Sequence, residues 1–478
     1  FNSIRLIETE SLAPESPESQ EPPSTVSVIH LQADGSGDYV SLPEAVTAAP
    51  AGATINLGPG TFRLEEPLVI EKAVHLKGAG MDLTEIEADA DEFVVWFSGE
   101  GPFFSEDITY RHAGAQTADV VVATEGEVTF ERSRFAGAVF DSETSEGGKG
   151  LFLINTTAVV RECTAVNNEL AGIQVDTDNT SDLATIEKNI LNDNPAGVGV
   201  VFVGHAQGIA RRNECSRNSQ GIIVTDQAQP TLEANVCKEN IGNGIAFWGE
   251  SGGEARETDV SHNEFGGIEV NNSAQPLLEE NFIRYNGGSG ILYLGSSGGT
   301  ARKNDCSMNE MNGIDLGDTA QPTLEENNCK GNGSDGIGYY TNSGGTARGN
   351  VLTGNTRNGI SVRGDSQPTL LSNVCSGNGS AGISYLENAN GMASKNTCSE
   401  NLLGFYISEE SYPTVEENSC SNNEEAGIYY SLNATGIARM NEIVGNGICI
   451  YVPETADPEL DNNHCQDNIE GEIVDERQ

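Results

Sequence analysis

Apolar residues along this chain come in short bursts separated by glycine, asparagine and acidic residues, and no stretch sustains the spacing of an amphipathic helix. Short strands joined by turns are the expected elements. From Val28 the segment VIHLQADGSGDYVSLPEAVTAAPAGATINLGPGTFRL reads as strand, glycine turn, short helix and strand. Ser41 is placed as the N-cap of a helix around Pro43 to Ala48, with Glu44 as its capping-box partner. That helix is expected to cover the first coil of whatever repeats behind it.

The repeat is explicit beyond about residue 150. Pro230, Pro276, Pro322 and Pro368 are spaced by 46, and Pro413 and Pro458 follow at 45. A second series, Arg211, Arg256, Arg302, Arg348, Ser394 and Arg439, falls between them at 45 or 46. The unit is therefore two coils of about 23 residues, one carrying AQPTLEEN and the next SGGTARKN. Self-similarity of this kind marks stacked units that bury their apolar faces only against neighbours. The fold class is all-β: a single-stranded right-handed parallel β-helix with a short N-terminal capping helix. Residues 1–27, rich in Pro, Ser and Glu, read as a linker or tail, which implies a further N-terminal domain in the parent protein. Residues 28–478 form the β-helix, with cap and first strands over 28–60 and regular repeats over 150–470.

Aligning coils on their glycine-led strand (GIIV at 221, GIAF at 244, GIEV at 267, GILY at 290, GIDL at 313, GIGY at 336) puts apolar residues at the second and fourth positions throughout. A period of two sends both to one side, the core. The fourth position runs Phe202, Val224, Phe247, Val270, Tyr293, Leu316, Tyr339, Val362, Tyr385, Ile407, Tyr430, Ile450, so that aromatic and aliphatic layers alternate. Nine cysteines (163, 215, 237, 306, 329, 375, 398, 420 and 465) fall two residues after a turn asparagine or its equivalent, and Cys449 alone lies in a glycine-led strand. They are expected as buried thiols rather than disulfides or metal ligands, since side chains stacked in parallel suit a disulfide poorly. The asparagines before them, Asn213 to Asn463, suit left-handed turns and amide ladders. Two residues earlier, Glu187, Arg211, Glu233, Arg256, Glu279, Arg302, Glu325 and Arg348 alternate in sign. Leu371 and Ser394 then break the series together.

A net charge of −47, with 25 Lys and Arg against 72 Asp and Glu, argues against nucleic acid or an anionic membrane surface as partner. No apolar run is long enough to span a membrane. The histidines are scattered and no CxxC occurs, so no metal or other cofactor is expected; calcium is left open on so acidic a surface, without a DxDxDG-type loop to specify it. The thiols favour a reducing, cytoplasmic compartment, with an extracytoplasmic one left open.

Outward positions of the glycine-led strand remain for function. The fifth position holds Trp248, Leu294, Tyr340 and Leu386 on alternate coils, with Arg363 among the polar spacers, and the third position adds Glu269 and Asp315. These seven residues form the candidate binding stripe, for sugar rings or a protein partner. Glu269 and Asp315, two coils and about 9.6 Å apart, are at the edge of what an inverting acid and base pair would need.

The segment ADGSGDYVSLPEAVTAAPAGATINLGPGTFR resembles the opening of pectin-lyase-like β-helix proteins, pectinesterases among them. The GIxVxxxAxPTLExNxCxxN coils are similar to the parallel β-helix repeats of the CASH group, seen in periplasmic NosD-like proteins and in certain F-box proteins. The resemblance covers about residues 28–470 and implies the fold. The QDTL and DFIFG segments of pectinesterases, the NTD, DD, GHG and RIK set of polygalacturonases and the DPHE motif of alginate epimerases are missing, so no catalytic residue carries over. The leading reading is a non-catalytic module binding a protein or carbohydrate along its outer strands. The alternatives are a polysaccharide-active enzyme and a structural spacer.

Overall fold

The computed structural model describes residues 27–99 and 101–477. The expected tail, residues 1–27, lies outside them apart from Ser27. From Val28 the chain winds as a parallel β-solenoid of about 19 turns with roughly 23 residues per turn. Most turns contribute one strand to each of three sheets. The first is a 19-stranded sheet running from Val28–Leu31 to Glu459–Asp461. The second comes in runs of five, three and seven strands, linked by single bridges at Ile190, Glu214 and Asp305. The third, built from the glycine-led strands, runs from Leu68–Ile70 to Ile473–Asp475.

Helix α1 (Leu42–Ala48) lies where the sequence places it: the Glu44 amide donates to Ser41 Oγ at 3.4 Å, and Leu42, Ala45 and Val46 are buried. An amphipathic turn of helix thus covers the apolar end of the first coil.

Inside, the column from Phe202 to Tyr430 is fully buried and in register coil after coil. Its last member is Val452, not Ile450. Tyr429 pairs with Tyr451 and Ile428 with Ile450, so Cys449 stands where the preceding coil has Gly427. The Gly447-Ile448 pair imitates the strand signature, but the strand Ile448–Val452 pairs Ile448 with Ala426, one residue before the glycine position.

Two asparagine ladders hold the coils. In the first, Asn327 donates its backbone N and Nδ2 to Asn350 Oδ1 at 2.9 and 3.0 Å, and Nδ2 also reaches the Ala301 carbonyl at 2.8 Å. The second, five residues further on, repeats the pattern: Asn332 reaches Asn355 Oδ1 and the Cys306 carbonyl. Buried amides that satisfy both neighbours in this way fix register as well as spacing.

The cysteines need two corrections. Cys163 does not share the rung of the others. Its amide donates to Asn189 Oδ1 at 2.8 Å, which puts it in the first asparagine ladder, and Ala165 takes the expected thiol position. Cys449 and Cys465 are not free thiols but a disulfide, while the other eight are free and buried. The reason is visible in earlier coils. A Cβ added to Gly382 would lie 2.8 Å from Cys398 Cβ, and one on Gly290 3.2 Å from Cys306 Cβ. Each strand-leading glycine thus makes room for the side chain 16 residues later. In the last coil that glycine is Cys449, and the residue 16 further on is Cys465.

The charge ladder forms as read: Arg211 meets Glu187 at 2.9 Å, and Arg302 and Arg348 meet Glu279 and Glu325 at 2.8 Å. Leu371 and Ser394 pair with each other, so neither leaves an orphan charge.

Candidate functional site on the outer face of the third sheet

Strand alternation puts the seven stripe residues on the outward side of the third sheet, over consecutive coils from Trp248 to Leu386, and all are half-buried. They divide into two polar clusters with an apolar step between.

Trp248 and Glu269 make the first. Glu269 pairs with Ala246 in the neighbouring strand, and Oε1 accepts from Trp248 Nε1 at 3.1 Å and from Asn271 Nδ2 at 3.0 Å, while Oε2 accepts from Asn243 Nδ2 at 2.7 Å. Three donors engage both carboxylate oxygens, so Glu269 holds the indole in place. Beside it opens a groove of about 650 Å³ lined by Trp248, Glu250, Glu269 and Asn271. Leu292 and Leu294 form the step, the latter lying over Gly317, where a Cβ would come within 3.0 Å of it.

Asp315 and Tyr340 belong to the second cluster. The Tyr340 ring folds back over Gly338, whose absent side chain leaves the space: a Cβ there would be 2.5 Å from the ring. Its hydroxyl donates to Asp335 Oδ2 and receives Asn312 Nδ2, both at 3.2 Å. Asp335 is fully buried, its Oδ1 accepting from the amide and side chain of Asn358. Ser289 Oγ donates to Asp315 at 3.2 Å. Burial pushes the Asp315 carboxyl up to about 6, with Asp335 adding repulsion and the Ser289 hydrogen bond opposing. Burial, with the same two carboxylates, pushes the Tyr340 phenol up to about 12. Arg363 donates to Ser361 at 3.1 Å, and Leu386 continues the stripe without a polar role. Glu269 and Asp315 therefore sit in separate networks and are not brought together as an acid and base pair.

A second pocket on the same face was not foreseen. Val121 pairs with Leu151, a coil of 30 residues, and the excess forms an antiparallel hairpin of Phe140–Asp141 with Glu146–Gly147. Under it lies a cavity of about 520 Å³ with Asp119, Lys149, Phe152 and Asp176 in its wall. Lys149 Nζ reaches the Gly147 carbonyl at 3.0 Å and Asp119 at 3.4 Å, and lies 4.6 Å from the Phe152 ring centre. Burial raises the Asp119 carboxyl against the pull of Lys149, and burial with Asp178 and Asp226 raises that of Asp176. The lengthened coil around GGKG was the available signal.

Comparison with known proteins agrees with this architecture. Residues 242–374 and 348–468 match the family described as a right handed beta helix region, and residues 135–305 that of a periplasmic copper-binding protein, NosD. No curated protein matches the chain. Among solved structures, the A-module of the mannuronan C-5 epimerase AlgE4 from Azotobacter vinelandii is similar at TM-score 0.50 and 19% identity, over 62% of this chain and 91% of that one. The periplasmic alginate epimerase AlgG follows at TM-score 0.33 and 11% identity, over 91% and 83%. The Dettilon tailspike protein is at TM-score 0.37 and 14% identity, over 78% and 66%. At 19% identity the likeness to the AlgE4 A-module speaks for the fold alone.

The copper of the NosD description does not fit the residues present. Among the described residues no group of three or more His, Cys, Asp or Glu could hold a metal. The free thiols lie in the core, where burial pushes Cys163 up to about 12 and Cys420 higher still, far from the thiolate that a metal takes. Fold, register and asparagine ladders together place the chain: it folds as a right-handed parallel β-helix, and its coils match the right handed beta helix model over residues 242–468 and the NosD model over residues 135–305.

Proposed function

We propose that this protein is a polysaccharide-interacting β-helix that holds a glycan along the outer face of its third sheet. The observation that carries the reading is the pinned Trp248 beside Glu269, Asn271 and an open groove. It is an aromatic surface with fixed hydrogen-bonding groups around it, which is what an apolar sugar face and its hydroxyls require. The stripe runs parallel to the solenoid axis, so an extended chain contacts several coils at once. With a net charge of −47 the face suits a neutral glycan over a polyanionic one. The Cys449–Cys465 disulfide and the periplasmic description of the NosD family support an extracytoplasmic setting.

The test is titration calorimetry against a panel of neutral and uronate-containing polysaccharides, with Trp248→Ala and Tyr340→Ala. We expect binding to a neutral member, weakened about tenfold or more by Trp248→Ala. Equal affinity of wild type and both variants for every glycan bound would sink the proposal.

A second reading, catalysis on the same face, is favoured by the raised carboxyl of Asp315 beside Tyr340. Turnover of a bound glycan that is abolished by Asp315→Asn would establish it; binding without turnover would remove it.

A further inference from the structure

The corner between the second and third sheets carries an apolar patch that neither the core nor the stripe uses. Phe265, Tyr285 and Met311 are 65%, 53% and 54% exposed, and Met308 is exposed beside them. They belong to consecutive coils. The His262 and Tyr285 rings stack at 5.2 Å. On the neighbouring row Gly288 N donates to the Phe265 carbonyl and Met311 N to the Gly288 carbonyl, which sets Phe265 and Met311 on either side of Gly288. Contiguous apolar surface of this kind on a soluble body marks a contact, and methionines suit one that adapts to its partner.

Charge identifies what the patch would take. Exposed Glu239, Glu264 and Glu310 border it, and among the described residues none of the three is in an ion pair. Of the nearby cations, Arg217, Lys238 and Arg284 are matched, to Asp193 at 2.7 Å, to Asp259 at 2.6 Å and to Asp305, and Lys330 stands exposed at the Met308 end, so the rim sets three carboxylates against one such cation. A second copy of the chain brings another −47 and is repelled. Residues 1–26, with Glu8, Glu10, Glu15, Glu18 and Glu21 against Arg5, are no better matched. We propose that this corner is a docking surface for a basic, amphipathic segment of a partner protein, its apolar side chains on Phe265, Tyr285 and Met311 and its cations on the glutamate rim.

The probe is a synthetic amphipathic peptide of lysine and leucine, titrated by fluorescence anisotropy against wild type and Phe265→Ser/Tyr285→Ser/Met311→Ser. Because the substitutions leave the net charge unchanged, general attraction to an acidic protein is the same in both. We expect the triple variant to bind about tenfold or more weakly, and a Val351→Ser/Val374→Ser control, altered elsewhere on the surface, to bind like wild type. A lysine and serine peptide should not distinguish the proteins. Equal affinity of wild type and triple variant for the lysine and leucine peptide, with both folded by circular dichroism, overturns the proposal. So does patch-dependent self-association in sedimentation velocity, or patch-dependent binding to phosphatidylcholine vesicles. Glycan binding by the triple variant is measured alongside, so that loss of the peptide site is separable from loss of the stripe.

Discussion

Tyr293, Tyr339, Tyr385 and Tyr430 sit wholly inside the solenoid with hydroxyls that have no hydrogen-bond partner among the described residues, whereas Tyr110 shares one with Ser105 at 2.7 Å. A buried hydroxyl without a partner costs its desolvation and returns nothing. Tyr339→Phe should therefore leave stability unchanged or raise it by about 1 kcal/mol, while Tyr110→Phe lowers it by about 1 kcal/mol. Denaturant midpoints of the two variants decide this, and a destabilised Tyr339→Phe would mean that the hydroxyl has a partner after all. Asp315 makes a pH-dependent case. Its native carboxyl is raised to about 6 from an ordinary value near 4, so the native state holds a proton that the unfolded chain has lost between those values, and stability falls as pH rises through that window. Asp315→Asn removes the cost: it should be more stable than wild type by about 1–3 kcal/mol at pH 8, with the gap gone by pH 4. A gap that does not change with pH would rule the mechanism out. These are also the details that the sequence hides. The stripe could be found because period-two alternation assigns a face, but the hydrogen bonding of Glu269 to Trp248, Asn243 and Asn271 depends on side-chain directions across two coils. No spacing encodes those.

At the level of strands and turns the sequence is far more readable, because every coil repeats the same solution. The core columns, the first asparagine ladder and the Glu/Arg alternation all follow from aligning coils. Where the reading failed, it had followed a local motif instead of the ladder. Gly447-Ile448 looked like the strand signature, and Cys163 was counted with thiols whose rung it does not share. The hairpin over Lys149 was missed because it belongs to no repeat. The two kinds of ladder should differ sharply in strength. Asn332→Ala strands the Asn309 amide and the Cys306 carbonyl in the core, and should cost about 2–4 kcal/mol. Arg302→Ala removes a half-exposed ion pair with Glu279, and should cost about 0.2–1 kcal/mol, less in high salt. Chemical denaturation of both variants at two ionic strengths checks the order; a larger loss for Arg302→Ala would reverse the roles assigned to them.

Over the whole molecule, each coil touches only its neighbours, so stability is close to a sum of coil and interface contributions and the ends are its weakest points. The first coil is covered by α1, and the last described coil is held by Cys449–Cys465, with Ile469 and Ile473 exposed. Reduction should raise hydrogen exchange in residues 459–475 and leave amides such as those of Asn327 and Asn332 protected; a uniform change would show the solenoid to be one cooperative unit. The direction of the hydrogen bonds has a mechanical side. In a parallel stack they lie along the solenoid axis, so tension applied end to end opens each coil interface as a zipper, one row after another, rather than shearing whole sheets. Pulled in this way the protein should lengthen in steps of one coil's worth of chain, with the first step at the C-terminal end delayed for as long as the disulfide rivets its final two coils together.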